Sequence, residues 1–145
     1  MLFSKACEYA IKASIFITKE SLSGRRANVR AIAEATQAPE AFVAKTLQPL
    51  ARNGILTSTK GQQGGFSVEP EQMNTIKLMD IIKIIDGDGL FTRCAFGLSQ
   101  CSEVRPCPLH EHYKPIRREL TEMMQSFTLY DLAVKTEQGF AFLKV

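Results

Sequence analysis

Cysteines at 94, 101 and 107 and a histidine at 110 fall inside one stretch, CAFGLSQCSEVRPCPLH, spaced C-x6-C-x5-C-x2-H. A free thiol has a pKa of roughly 8.5 and is mostly protonated at neutral pH; a metal displaces that proton. Three thiolates and an imidazole make an accepted tetrahedral zinc set. The same thiolates can hold an iron–sulfur cluster, where all-cysteine ligation is common and histidine a known substitute. The spacing leaves both chemistries open. A loop this short closes around one centre at modest entropic cost, whereas unliganded thiols clustered in this way would invite oxidation. Cys7 stands apart, among alanines, and reads as a small buried residue. A nucleophilic cysteine enzyme would need a paired base, and His110 and His112, the only histidines, are better placed as ligands. The glycine-rich GQQGG lacks the lysine and serine of a phosphate-binding loop. An enzyme is therefore not expected, and no small-molecule substrate is implied.

The bulk properties fit that reading. A chain of 145 residues, 45% hydrophobic and 23% charged, makes one domain with an appended arm and buries a core without disulfide support. No run reaches the roughly 20 apolar residues of a membrane span, and Lys5, Glu8 and Lys12 interrupt what could pass for a signal peptide. A cytoplasmic location is expected, where thiols stay reduced. Charge is uneven. Residues 1–70 hold nine Lys/Arg against five acids, an excess of +4, and residues 71–145 hold nine against ten, or −1. A basic first half suits a nucleic-acid partner.

The elements that must carry these groups can be read from periodicity. Phe3, Ala6, Ala10, Ala13 and Ile17 make an apolar stripe over a helix at 3–19, ended by SLSG. Val29, Ile32, Ala33 and Thr36 share a face of a short second helix with Asn28 as N-cap. A turn at QAP leads to a third helix with Pro39 at its first position, Glu40 in its first turn, and a core side of Phe42, Val43, Thr46, Leu47 and Leu50. Pro49 is expected to loosen its last turn. ILTSTKGQQGGFSV then reads as a hairpin, with Leu56/Ser58 and Phe66/Val68 on its buried side. Helix, turn, helix and hairpin in this order predict a winged helix-turn-helix. A fourth helix is expected over 75–89. After the cysteine loop, Leu109, Tyr113, Ile116, Leu120, Met123 and Phe127 repeat at a heptad period, which predicts a dimerisation helix over 108–127 with a kink near Pro115. A short packing helix is expected at 128–134. The fold class is thus mainly α with a small β-hairpin wing and a long C-terminal dimerisation helix.

A recognition helix needs short or polar side chains on its groove-facing side. Glu40, Ala41, Ala44, Lys45 and Gln48 are left off the core face of the third helix. Lys45 can donate to guanine or phosphate, and the alanines allow close approach. Lys60, Gln62 and Gln63 at the hairpin tip are candidates for the minor groove or backbone, and Arg25, Arg26 and Arg30 for phosphate contact.

FSKACEYAIKA, VAKTLQPLARNGIL, STKGQQGGFSV, IKLMDIIKIIDG, the three cysteines and TLYDL fall in an order that resembles the IscR/NsrR-type winged-helix regulators, the Rrf family of bacterial transcription factors. The resemblance spans roughly residues 1–135. It implies a homodimer on palindromic double-stranded DNA, with an iron–sulfur cluster in each subunit, [2Fe–2S] ahead of [4Fe–4S], and zinc as the alternative metal. By position Cys94, Cys101 and Cys107 would be the thiolate ligands. The fourth would be His110 or, donated by the other subunit, Glu8; the former is preferred because it shares the loop. The first cysteine gap is six residues where five is commoner in the family. The organisation expected is a DNA-binding region (1–72), a connecting helix (73–90), a cluster-binding loop (91–110), a dimerisation and packing segment (111–135) and a tail (136–145).

Overall fold

The structure is a computed structural model that describes residues 2–144. Its first helix, α1 (Lys5–Leu22), begins where the Ser4 hydroxyl accepts the Cys7 amide at 3.1 Å, the side-chain cap that satisfies an orphan N–H. It begins two residues later and ends three residues later than periodicity predicts. SLSG does not break it at once, because the Ser21 hydroxyl bonds back to the Ile17 carbonyl at 2.8 Å. Its buried side holds Cys7, Ala10, Ala13, Ser14, Ile15, Ile17 and Thr18, broader than one stripe. The breadth has a cause: α1 is the hub against which four other helices pack.

Helix α2 (Val29–Thr36) is capped by Asn28, whose side chain accepts the Ala31 amide at 2.8 Å. Gln37, left-handed at φ 55°, turns the chain into α3 (Glu40–Arg52). Pro39 serves as the N-cap of α3 rather than its first helical residue. Val43, Thr46, Leu47 and Leu50 are buried as expected. Phe42 is not: it is 36% exposed and lies edge-on against Tyr9 of α1, ring centroids 5.4 Å apart. Pro49 does not end α3, which closes over it through the Asn53 amide and side chain, both donating to the Pro49 carbonyl at 3.1 and 2.8 Å.

The wing pairs β1 (Thr57–Thr59) with β2 (Gly65–Ser67) antiparallel, Ser58 opposite Phe66. Leu56 and Val68 are buried at its base, Phe66 half-buried, and Ser58, against expectation, exposed. Ala27, just ahead of α2, bridges to Phe66 on the edge of β2 away from β1. That approach is why residue 65 is glycine: with φ at 138°, a Cβ there would meet the Ala27 carbonyl oxygen at 2.6 Å.

Helix α4 (Leu78–Asp86) is shorter than the 75–89 expected. Asp80 accepts the Lys77 amide at 2.8 Å, which fixes its start, and Gly87 at φ 77° stops it. A single turn, α5 (Gly89–Thr92), precedes the cysteine loop. Helix α6 (His110–Ser126) runs unbroken through Pro115, and α7 (Leu129–Glu137) returns to pack on α1. The starts of α4 and α7 are stitched together by the Leu78 amide to the Phe127 carbonyl and the Leu129 amide to the Ile76 carbonyl, each 3.0 Å. One core joins α1, α2, α3, the wing base and α7. A second, smaller one gathers Cys7, Met79, Ile82 and Met124 beneath α6. No helix among the described residues is long and apolar enough to cross a membrane.

Candidate functional site

The cysteine loop spans the gap between α5 and α6 without regular structure of its own. Its first turn, Cys94–Gly97, is closed by the Gly97 amide donating to the Cys94 carbonyl at 3.0 Å, with Gly97 at φ 72°. That turn aims backbone at sulfur. The Phe96 amide, then the Leu98 amide, the Cys107 thiol and the Arg117 guanidinium favour the thiolate and hold Cys94 below the ordinary thiol range, although its side chain is buried. Amides two and four residues along from a cysteine, pointed at its sulfur, stabilise the charge a metal-bound sulfur carries.

Cys101 and Cys107 are half-buried and free, as is the buried Cys94. Cys101 Sγ lies 3.5 Å from His110 Nδ1. His110 opens α6, its amide bonded to the Cys107 carbonyl at 3.0 Å, and its ring is 4% exposed. The other ring nitrogen, Nε2, is buried with no hydrogen-bond partner. Of the four predicted ligands, Cys101 and His110 are in contact, and the Cys107 thiol lies near enough to Cys94 to favour its thiolate. Among the described residues, no group of three or more His, Cys, Asp or Glu side chains is drawn together into a metal-holding set. Glu8 sits in the first turn of α1, paired with Lys5 at 2.9 Å, which keeps its carboxyl below the usual range. Cys7 is fully buried, as its setting among alanines implied.

The donor set fits an iron–sulfur cluster or zinc on chemical grounds. It offers three thiols, one already biased towards thiolate, and a buried imidazole nitrogen with no hydrogen-bond partner among the described residues. Sequence reasoning missed the groups behind that bias, Arg117 and the amides of Phe96 and Leu98. The only sequence signal for the amides was Gly97, which permits the turn.

The second candidate surface lies on α3 and the wing. Glu40, Ala41, Lys45 and Gln48 are exposed along α3, and Ala44 is half-buried. Lys60, Gln62 and Gln63 are exposed at the hairpin tip. Arg26 and Arg30 are exposed near α2, while Arg25 is held by Glu20, Nε to Oε2 at 2.8 Å. The face is therefore polar and shallow. Between helix and wing runs an open cleft lined by Ala44, Gln48, Ala51, Arg52, Ser58 and Phe66, of which the sequence reading had placed only Ala44 and Gln48 on this face.

Comparison with known proteins identifies the family and the fold. A family model described as Rrf2, iron-dependent transcriptional regulator, matches residues 3–135. A protein of Aquifex aeolicus (strain VF5), named as a candidate HTH-type transcriptional regulator, is 28% identical over 134 residues, covering 91% of each chain. The protein aau3 of Rhizobium meliloti (strain 1021) is 29% identical over 146 residues, covering 99% of this chain and 91% of its own. Among solved structures, CymR, the global cysteine regulator of B. subtilis, superposes with a TM-score of 0.73 at 24% identity, over 92% of this chain and 97% of its own. The IscR of T. potens superposes equally well, TM-score 0.73 at 20% identity, over 95% and 90%. With the family model spanning nearly the whole described chain, and the winged fold shared with solved regulators, this protein belongs to the Rrf2 family of transcriptional regulators.

Proposed function

We propose that this regulator is a homodimer that binds a palindromic operator and that an iron–sulfur cluster on the 94–110 loop modulates its DNA binding. The observation that carries the reading is His110: its Nε2 is buried without a partner, and its Nδ1 touches Cys101. An orphaned buried polar atom costs about 1–3 kcal/mol, a cost that a ligand bond to that nitrogen would remove. Cys94, Cys101, Cys107 and His110 are the ligands proposed, with Glu8 of a partner subunit the alternative fourth. Bound there, the group supplies redox and ligand-exchange chemistry.

The rest follows from the chain. The loop joins α5 to the base of α6, so ordering it fixes where α6 starts. In a dimer built on α6, that start sets the angle between the two winged heads. Half-sites one helical turn apart are separated by about 34–36 Å, and a small rotation misaligns one head. The coupling expected is about 1–3 kcal/mol between loop and operator. Glu40, Ala41, Ala44, Lys45 and Gln48 are proposed for the major groove, Lys60, Gln62 and Gln63 for the wing contact, and Arg25, Arg26 and Arg30 for phosphate.

The test is an absorption spectrum with iron, sulfide and zinc content on protein purified without air. Visible charge-transfer bands with iron and sulfide are expected, lost in Cys101→Ala while the far-UV circular dichroism stays unchanged. Zinc without sulfide would replace the cluster by a structural metal, and a colourless, metal-free protein with full operator affinity would end the sensing account.

A further inference from the structure

A helix in the major groove and a hairpin in the adjacent minor groove cannot both reach DNA without straddling the sugar–phosphate strand that separates the two grooves. In this chain the space that strand must occupy is the cleft between α3 and the wing. Its walls suit a polyanion. Ala44, Gln48 and Arg52 recur every four residues along α3 and form one row facing the wing. Across the cleft stands Ser58, exposed, with Phe66 opposite it in the hairpin register. Ala44 and Ala51 are small enough to let a backbone come close.

Arg52 is the only cation on the cleft wall. It is exposed and takes part in none of the ion pairs among the described residues, which join Lys5 to Glu8, Arg25 to Glu20, Lys114 to Glu103 and Arg118 to Glu122. Arg25, by contrast, already engages one edge of its guanidinium, Nε and Nη2, with Glu20. A free planar guanidinium beside a hydroxyl and a carboxamide is a donor set for phosphate oxygens.

We infer that the α3–wing cleft is the seat of the DNA strand between the two grooves, and that Arg52, with Ser58 and Gln48, clamps a phosphate there. The inference rests on α3 entering the major groove. It adds a contact that positions the protein without reading sequence.

The experiment uses fluorescence anisotropy on the full chain. The probes are a labelled duplex selected by the wild-type protein from a randomised pool, and an unrelated duplex of equal length. Potassium chloride is varied from about 50 to 200 mM, the range over which phosphate contacts dominate the salt response. Arg52→Gln should weaken both duplexes by a similar factor and reduce the slope of log affinity against log salt by about 0.9 per half-site. Arg52→Lys should restore the slope. Ser58→Glu, which places a carboxylate in the cleft, should weaken both duplexes as well. Thermal unfolding checks that each variant is folded.

Two results overturn the inference: Arg52→Gln with wild-type affinity and slope, or weaker binding with an unchanged slope. Lys45→Ala separates this from the parent reading. If Lys45→Ala loses the selected duplex while Arg52→Gln loses nothing, the clamp fails and the recognition helix stands. If neither variant changes binding, or if no duplex is retained, both fail together.

Discussion

Asp86 ends α4 and faces the start of α1, where its carboxylate accepts the Ser4 amide at 2.9 Å and the Ser4 hydroxyl. Cys7, one turn on, is fully buried beside it. Burial, and then the Asp86 carboxylate, push the Cys7 thiol up to about 12. Cys94 has the opposite setting, for the backbone turn at Gly97 favours its thiolate. Thiol alkylation follows thiolate fraction and access, so the apo protein should separate the four cysteines. A short iodoacetamide pulse at pH 8, read by peptide mass spectrometry, should modify the half-buried Cys101 and Cys107 first and Cys7 last, at the rate at which the fold opens. Cys7 labelling as fast as Cys101 would refute the packing described. The distinction between Cys7 and the other three was legible in sequence, because a cysteine among helical alanines has apolar neighbours at three- and four-residue spacing. The pairing within the loop was not. Which sulfur meets which nitrogen depends on the turn at Gly97 and on Arg117, whose Nη1 reaches back 24 residues to the Arg93 carbonyl at 3.0 Å.

Helices α4 and α7 begin side by side, and the third residue of each is an aspartate, Asp80 and Asp131, that accepts the N-cap amide. Thr128 caps α7 reciprocally: its hydroxyl accepts the Asp131 amide at 3.1 Å while Asp131 accepts the Thr128 amide at 2.9 Å. The Thr128 amide, then its hydroxyl, hold the Asp131 carboxyl below its usual value of 3.8. A carboxyl depressed in the folded state stabilises above its unfolded pKa, and the gain is lost as pH falls through the folded value. Asp131 should thus support the fold fully at neutral pH and cease to do so below 3.8. Thr128→Ala should cost about 1 kcal/mol in urea unfolding at pH 7. Asp131→Asn should destabilise at pH 7 yet match wild type in strong acid, and an equal deficit at both pH values would remove the charge from the account. At this scale the sequence was informative wherever a local rule sets the outcome. Asn28 capping α2, glycines in the wing and the apolar face of α3 all follow from short-range chemistry. The misplacements have tertiary causes. Phe42 turns outward, edge-on to Tyr9 of α1, and α4 is trimmed because the Ile76 carbonyl and the Leu78 amide bond to residues 127–129 at the start of α7 instead of continuing a helix.

Among the described residues, α6 keeps an apolar row on the surface of the molecule. Only His110 and Met124 of α6 are buried. Three positions of the heptad seam read from sequence emerge on the surface, Leu109 40%, Ile116 60% and Met123 46% exposed, while Tyr113, Leu120 and Phe127 are half-buried, Leu120 against the small core of Cys7, Met79 and Ile82. An apolar row at seven-residue spacing left exposed on its own chain suits contact with another helix, and fully covering an exposed large apolar side chain is worth about 1.5–3 kcal/mol. The seam also begins at the loop: Leu109 precedes His110, so a dimer built along α6 is anchored where the cysteines are. Ile116→Glu places a charge at the centre of that seam and touches neither core. It should leave the far-UV circular dichroism and the iron content of the loop unchanged. It should shift the sedimentation coefficient from dimer to monomer and weaken the palindromic duplex far more than a single half-site, because tethering the second head supplies effective concentration rather than new contacts. A dimer that survives Ile116→Glu, with operator affinity intact, would move the interface off α6 and with it the lever through which the loop is proposed to act.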